Sequence, residues 1–169
     1  MSVFKVITGA SSSYQGEEAE KKYHDTDAIQ DVIAYVLNPA KTHPGYIGGF
    51  SVNPEMAAAQ FEIVAQVNGK AFGIRLRHMV LSFEPGEPVN KDLAKQIAYQ
   101  VAAYYGDEYQ IIYAVHLDKP HLHIHFVMNT VSYRTGTKYD GSKRDYYRFI
   151  DHMKNVLRGY GLHLTVQTT

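Results

Sequence analysis

The sequence predicts an α+β domain: a largely antiparallel central β-sheet with helices packed mainly on one face. Three observations carry this. Residues 72–83 and 121–130 alternate apolar and polar side chains, the period of a strand, whereas 27–37 and 91–105 place apolar residues at i, i+3 and i+4, the period of a helix. The strand-like segments 109–116 and 121–130 are separated by a short connection, which forces antiparallel pairing. A chain of 169 residues, 45% hydrophobic and 20% charged, suffices for one domain with a sizeable core.

The elements follow in order. Val3 to Ile7 reads as a short strand, and residues 10–24, rich in Ser, Glu and Lys, as a loop. Asp27 with Gln30 resembles a helix N-cap, and the helix it opens carries Ile29, Val32, Ile33, Val36 and Leu37 on one side. Asn38-Pro39 ends it, and residues 40–53 form a Gly-rich connection. Asn53-Pro54 starts a second helix, which Asn68-Gly69 closes. In 72–83, Ile74, Leu76, His78 and Val80 face one way and Arg75, Arg77, Met79 and Leu81 the other, before Glu84-Pro85-Gly86 breaks the strand. A third helix over 91–105 buries Leu93, Ile97 and Val101. After the two strands at 109–116 and 121–130 come a fourth helix near 144–159 and an edge strand within 162–166. The chain reads as a single domain over 1–169, compatible with being the N-terminal part of a longer protein.

The bulk numbers exclude several classes. There are no cysteines, so disulfides and thiolate metal sites are ruled out, and a reducing cytoplasm is the natural expectation. There is neither an 18-residue apolar run nor a signal-peptide core, so no membrane insertion is expected. Net charge is zero, which argues against indiscriminate nucleic-acid binding. The charge is uneven, however: residues 1–33 are acidic on balance and 134–158 basic, with Tyr133, Tyr139, Tyr146 and Tyr147 among the cations. That mixture suits a phosphate backbone with stackable bases, although taken alone it is better read as a solvated helix face.

Chemistry concentrates at residues 116–129, where four of the nine histidines fall within ten positions. His121, His123 and His125 alternate with Leu122, Ile124 and Phe126, so one strand face is a row of imidazoles turned outward and the other faces a core. If 117–120 is a four-residue loop, His116 lies opposite His121 and joins the same face. Neutral imidazole is the commonest metal ligand, and three of them leave coordination positions open for a reaction. The donor set favours Zn, Ni, Co or Mn over Ca, with Mg a less natural fit.

Two families match the cluster. His121 to Val127 resembles the histidine-triad nucleotide hydrolases and transferases, in which the middle His attacks a phosphate without metal. The wider pattern His116-x-Asp118-x-x-His121-x-His123-x-His125-x-x-x-Asn129 resembles the metal motif of conjugative and mobilization relaxases, HUH endonucleases of the MOBP-like type. Three further segments favour the second resemblance. The helix ending Tyr35-Val36-Leu37-Asn38-Pro39-Ala40-Lys41-Thr42 is similar to that family's first motif. His78 to Glu87 resembles a family strand with a His, then Ser-Phe, then Pro-Gly-Glu; His78 lies either near the site or packs within the sheet, the structural role being favoured. Tyr146-Tyr147 and Gly159-Tyr160-Gly161-Leu162 are similar to the domain's C-terminal end, so the likeness spans about residues 27–163.

The resemblance implies a ferredoxin/palm-like HUH relaxase fold and strand- and site-specific nicking of DNA at a transfer origin, with reverse religation, for conjugative transfer. Tyr35 would be the nucleophile, forming a 5′-phosphotyrosyl link. Its position, roughly 130° from the centre of the helix's apolar stripe, presents the hydroxyl outward. His116, His123 and His125 would hold a divalent ion, Mn or Mg in use with Zn, Ni or Co compatible. His121 is an alternative ligand or supporting group, and Asn129 would orient a group on the same face. Asp118 would either fix a ligand imidazole or assist deprotonation of Tyr35. Lys41, Arg75, Arg134, Lys138, Lys143 and Arg144 are candidate DNA contacts. The implied partners are transfer-origin DNA, single-stranded at the nick and flanked by a hairpin, with accessory DNA-binding and coupling or secretion proteins. Besides the histidine-triad alternative, a replication initiator, a single-tyrosine transposase and a non-catalytic DNA- or metal-binding module share some of these features.

Overall fold

A computed structural model describes residues 1–7 and 26–167. The strands are β1 (Ser2–Ile7), β2 (Ile47–Phe50), β3 (Leu76–Ser82), β4 (Ile111–His116), β5 (His123–Asn129) and β6 (Leu164–Val166). The helices are α1 (Thr26–Val36), α2 (Ala57–Val67), α3 (Lys91–Gly106) and α4 (Lys143–Arg158). One six-stranded sheet runs in the order β2-β4-β5-β3-β1-β6. Every pairing is antiparallel except that of β6 with β1, which is parallel. The expected loop over 10–24 lies outside the described residues.

The α+β class and the antiparallel sheet agree with the sequence; the placing of the helices differs. Rather than gathering mainly on one face, they divide two and two. α3 and α4 pack on Met79, Leu81, Ile111, Tyr113, Ile124 and Phe126, together with Phe4. α1 and α2 pack on the opposite face, where Ile29, Val32, Ile33, Val36 and Phe61 meet Leu76, Ile112, Ala114 and Val127. The physical cause is in β4, which is buried along its whole length because both of its faces are covered. Asp27 lies within α1 and is not its cap.

Two boundaries matter for the site. The connection 40–53 contains β2, whose Ile47 lies opposite Ala114 and Phe50 opposite Ile111. Its glycines mask the strand pattern, yet a Cβ on Gly48 would stand 2.2 Å from the Tyr113 hydroxyl, so close approach excludes a larger residue. The hairpin between β4 and β5 is also longer than expected: His116 pairs with His123, not His121, and Ala114 with His125. His121 therefore belongs to the loop.

Candidate active site

Pairing of β4, β5 and β3 gathers imidazoles at one end of the face that α1 crosses. His116 and His125 stack with ring centroids 4.0 Å apart, 27° from parallel. His125 Nδ1 is 2.8 Å from His78 Nε2 in a hydrogen bond between the rings. All three side chains are buried, so the row is not turned out to solvent as the alternation suggested. His123 is half-buried and packs against His121 with centroids 4.5 Å apart.

Tyr35 roofs this cluster. Its ring stands edge-on to His116 at 5.8 Å, to His125 at 5.7 Å and to His78 at 6.5 Å between centroids. It is nonetheless 46% exposed, so the same ring meets both the imidazoles and solvent. The backbone fixes this position. His116 Nε2 donates to the Val36 carbonyl at 2.8 Å, Leu117 N–H donates to the Lys41 carbonyl at 2.6 Å, and Thr42 Oγ1 donates to the Val115 carbonyl at 2.7 Å. Three hydrogen bonds thus staple the end of α1 and the turn after it to the end of β4. Lys41 completes the roof, its Nζ 5.2 Å from the Tyr35 ring centroid.

Burial is the main influence on the imidazoles. It lowers the pKa of His116, against the pull of its bond to Val36, and lowers that of His123. His125 is pushed well down by burial and then by the neighbouring imidazoles. Neutral rings keep a lone pair for a cation or phosphorus-bound group. For Asp118, desolvation works upward, but the hydrogen bond and charge of Lys41 outweigh it and hold the carboxyl below its usual range. Asp118 lies 3.3 Å from Lys41 Nζ, and its charge also acts on the His116 imidazole.

The donor chemistry fits a divalent ion: His116, His123 and His125 share a face, carry no charge of their own, and include two stacked neutral rings. Among the described residues, however, no three His, Asp or Glu side chains are arranged as a ready-made metal cage. The rings as they stand would have to turn to share one ion.

The remaining sequence candidates lie elsewhere. Asn129 sits at the other end of β5, about 13 Å along the strand from His125, where its Nδ2 donates to the Phe61 carbonyl and to Gln110 Oε1. It ties α2 to the sheet instead of orienting a group at the imidazoles. Arg75 is buried in an ion pair with Glu62. Lys138 Nζ donates to the carbonyls of Phe72 and Ile74. Arg134, Lys143 and Arg144 are exposed but follow the Asn129 end of β5, away from Tyr35. His78, for which the sequence leaves open a place near the site beside the favoured structural one, stands within the cluster. Lys5, opposite Val80, adds a cation near His125.

Comparison with known proteins supplies the family and the fold. Residues 35–162 match the family model described as "Relaxase: MobA/VirD2-like, nuclease domain". Protein rlx of Staphylococcus aureus is 29% identical over 147 residues, 87% of this chain and 45% of that protein. The group II intron-interrupted relaxase LtrB of Lactococcus lactis subsp. cremoris is 26% identical over 93 residues, 54% of this chain and 16% of that protein. The chain thus spans less than half the length of these relatives. The fold is shared with the solved structure described as "Molecular Basis of Vancomycin Resistance Transfer in Staphylococcus aureus", with TM-score 0.59, 12% identity and full coverage of both chains. The match begins at Tyr35, near the end of α1, and takes in β3, β4 and β5 with their histidines, which a histidine-triad strand alone would not explain. The chain belongs to the MobA/VirD2-like relaxase nuclease-domain family.

Proposed function

We propose that this domain nicks one strand of transfer-origin DNA through Tyr35 and rejoins it by the reverse reaction. The observation that carries this is the Tyr35 ring, half-exposed and edge-on to His116 and His125 at 5.8 and 5.7 Å. The Tyr35 hydroxyl attacks the scissile phosphorus. A tyrosyl O–P bond forms, the P–O3′ bond breaks, and the proton lost from the phenol is balanced by one gained at the leaving 3′-oxygen. The 5′ end stays covalently bound, so the phosphodiester energy is kept for religation.

A free phenol is a weak nucleophile at neutral pH, with a pKa of about 10. Positive charge must therefore gather where the tyrosyl oxygen and the phosphate meet. Lys41 supplies one such charge from over the ring. A divalent ion held by His116, His123 and His125 would draw charge from the phosphate oxygens and make phosphorus more electrophilic. Asp118 holds Lys41 in place through their ion pair and is a positioning residue, which separates it from the role of base. His78 supports His125 through the bond between their rings, and His121 lies on the loop beside His123.

The test uses single-stranded origin oligonucleotides with Mn²⁺, resolved on a denaturing gel. A covalent adduct that disappears in Tyr35→Phe and on chelation is expected. An adduct that survives in Tyr35→Phe would transfer the nucleophile to another residue and end this reading. The coupling and accessory proteins of a transfer system are the partners such a nick requires.

A further inference from the structure

Apart from Lys41, which lies over Tyr35, the cations expected to hold DNA from the sequence lie at the far end of the sheet, so the strand that reaches Tyr35 needs further contacts. A ridge leading away from Tyr35 offers them. Lys41 and Thr42 are fixed to the end of β4, and the chain then turns through Pro44–Tyr46 into β2. The rings of His43 and Tyr46 stand 6.3 Å apart at 64°. Over the Tyr46 ring lie two cations of α3, Lys91 Nζ at 5.5 Å and Lys95 Nζ at 6.0 Å. These lysines are one helical turn apart and point to the same side. His43, Lys91 and Lys95 are exposed, and Tyr46 is half-buried with its hydroxyl donating to Asp92 Oδ1 at 2.9 Å. Asp92 steadies the ring and is the nearby opposing charge, outnumbered by the two lysines.

We infer that this ridge is a binding track for single-stranded DNA: a base stacks against the aromatic pair His43 and Tyr46 while adjacent phosphates lie on Lys91 and Lys95. The inference rests on the nicking reading for the direction of the strand, which passes from the Tyr35 roof by way of Lys41. Rings that accept any base, beside ammonium groups that follow the backbone, make a contact tolerant of sequence. The track would thus supply grip beside the nick while base selection is made elsewhere.

The test is fluorescence anisotropy with a labelled mixed-sequence single strand, across a salt series. Tyr46→Ala should weaken binding about tenfold or more, and Tyr46→Phe should stay near wild type, because stacking needs the ring and not the hydroxyl. Lys91→Gln with Lys95→Gln should flatten the dependence of log affinity on log salt by about 1.4, the share of two phosphate contacts on a single strand. Lys143→Gln with Arg144→Gln should change neither quantity. Wild-type affinity and slope in the Lys91/Lys95 variant, or an equal loss in the Lys143/Arg144 variant, would overturn the track. A wild-type protein that fails to bind the strand would overturn it as well. The two readings fail separately. A covalent adduct with unaffected track variants removes the track alone, and track-dependent binding without an adduct removes only the nicking.

Discussion

At Tyr35 and Asp118 the balance between two kinds of contribution decides the role of each side chain. Tyr35→Phe should abolish the covalent adduct and leave single-strand affinity within about twofold, since the ring and its contacts with the imidazoles survive. For Asp118→Asn the magnitudes separate a base from a holder of Lys41. Loss of a general base costs about 10²–10⁴ in rate. Loss of an ion pair that is still partly open to water costs at most about 1 kcal/mol. Adduct formation in Asp118→Asn should therefore stay within about tenfold of wild type in single-turnover assays. A fall of 10³ or more would make Asp118 the base. The outward placing of Tyr35 was legible from the helical period and the motif that follows it, and the face of His116 from the hairpin it closes. The pairing of Asp118 with Lys41 was not, since it joins residues 77 apart in sequence through a turn geometry that no local pattern encodes.

Among the elements, β2 is the one most hidden in the sequence. Ile-Gly-Gly-Phe lacks the β-branched and aromatic alternation of a strand, and it pairs because glycine lets its backbone lie against the Tyr113 side chain. Gly48→Ala should lower unfolding free energy by about 1–3 kcal/mol in urea titrations, the usual cost of overpacking. The same change should loosen the turn carrying Tyr46, which leads directly into β2. β3, β5, α1 and α3 were legible because their apolar periods persist over enough residues, and α2 because Asn53-Pro54 and Asn68-Gly69 mark its ends. The β4–β5 register was not. A loop two residues longer keeps the same faces but shifts the partner of His116 from His121 to His123, a change invisible to alternation.

Over the whole molecule the sheet separates two tasks, with imidazoles at one end and phenols at the other. Around a cavity of about 330 Å³ lined by Tyr104, Tyr105, Tyr109, Tyr139 and Asp145, three phenols donate to the Asp145 carboxylate, from Tyr104 at 3.0 Å, Tyr105 at 2.7 Å and Tyr139 at 2.6 Å. This joins α3, the loop after β5 and α4. Burial first, then the neighbouring carboxylates, pushes Tyr109 up to about 12; burial and the bond to Asp145 push Tyr139 up to about 12. Both folded values lie above the unfolded value of about 10. Their stabilising effect is thus whole below pH 10 and is lost as pH rises toward 12. Thermal unfolding followed by circular dichroism should show Tm falling across that window, and Tyr139→Phe should make the fall shallower. No helix among the described residues is long and apolar enough to cross a membrane. The division of helices between both faces was only partly legible: each apolar stripe was plain, but a stripe does not say which side of a sheet it will meet.

The bond from His116 Nε2 to the Val36 carbonyl has one more consequence. A carbonyl can only accept, so this ring nitrogen carries the hydrogen, and the backbone next to Tyr35 selects the ring's tautomer. The lone pair of His116 is then offered solely from Nδ1, which dictates the side from which any electrophile must come. Nitrogen-15 chemical shifts of that imidazole should report a protonated Nε2 and a bare Nδ1. Replacing the ring would also cut the tether that registers the helix bearing Tyr35 against the sheet.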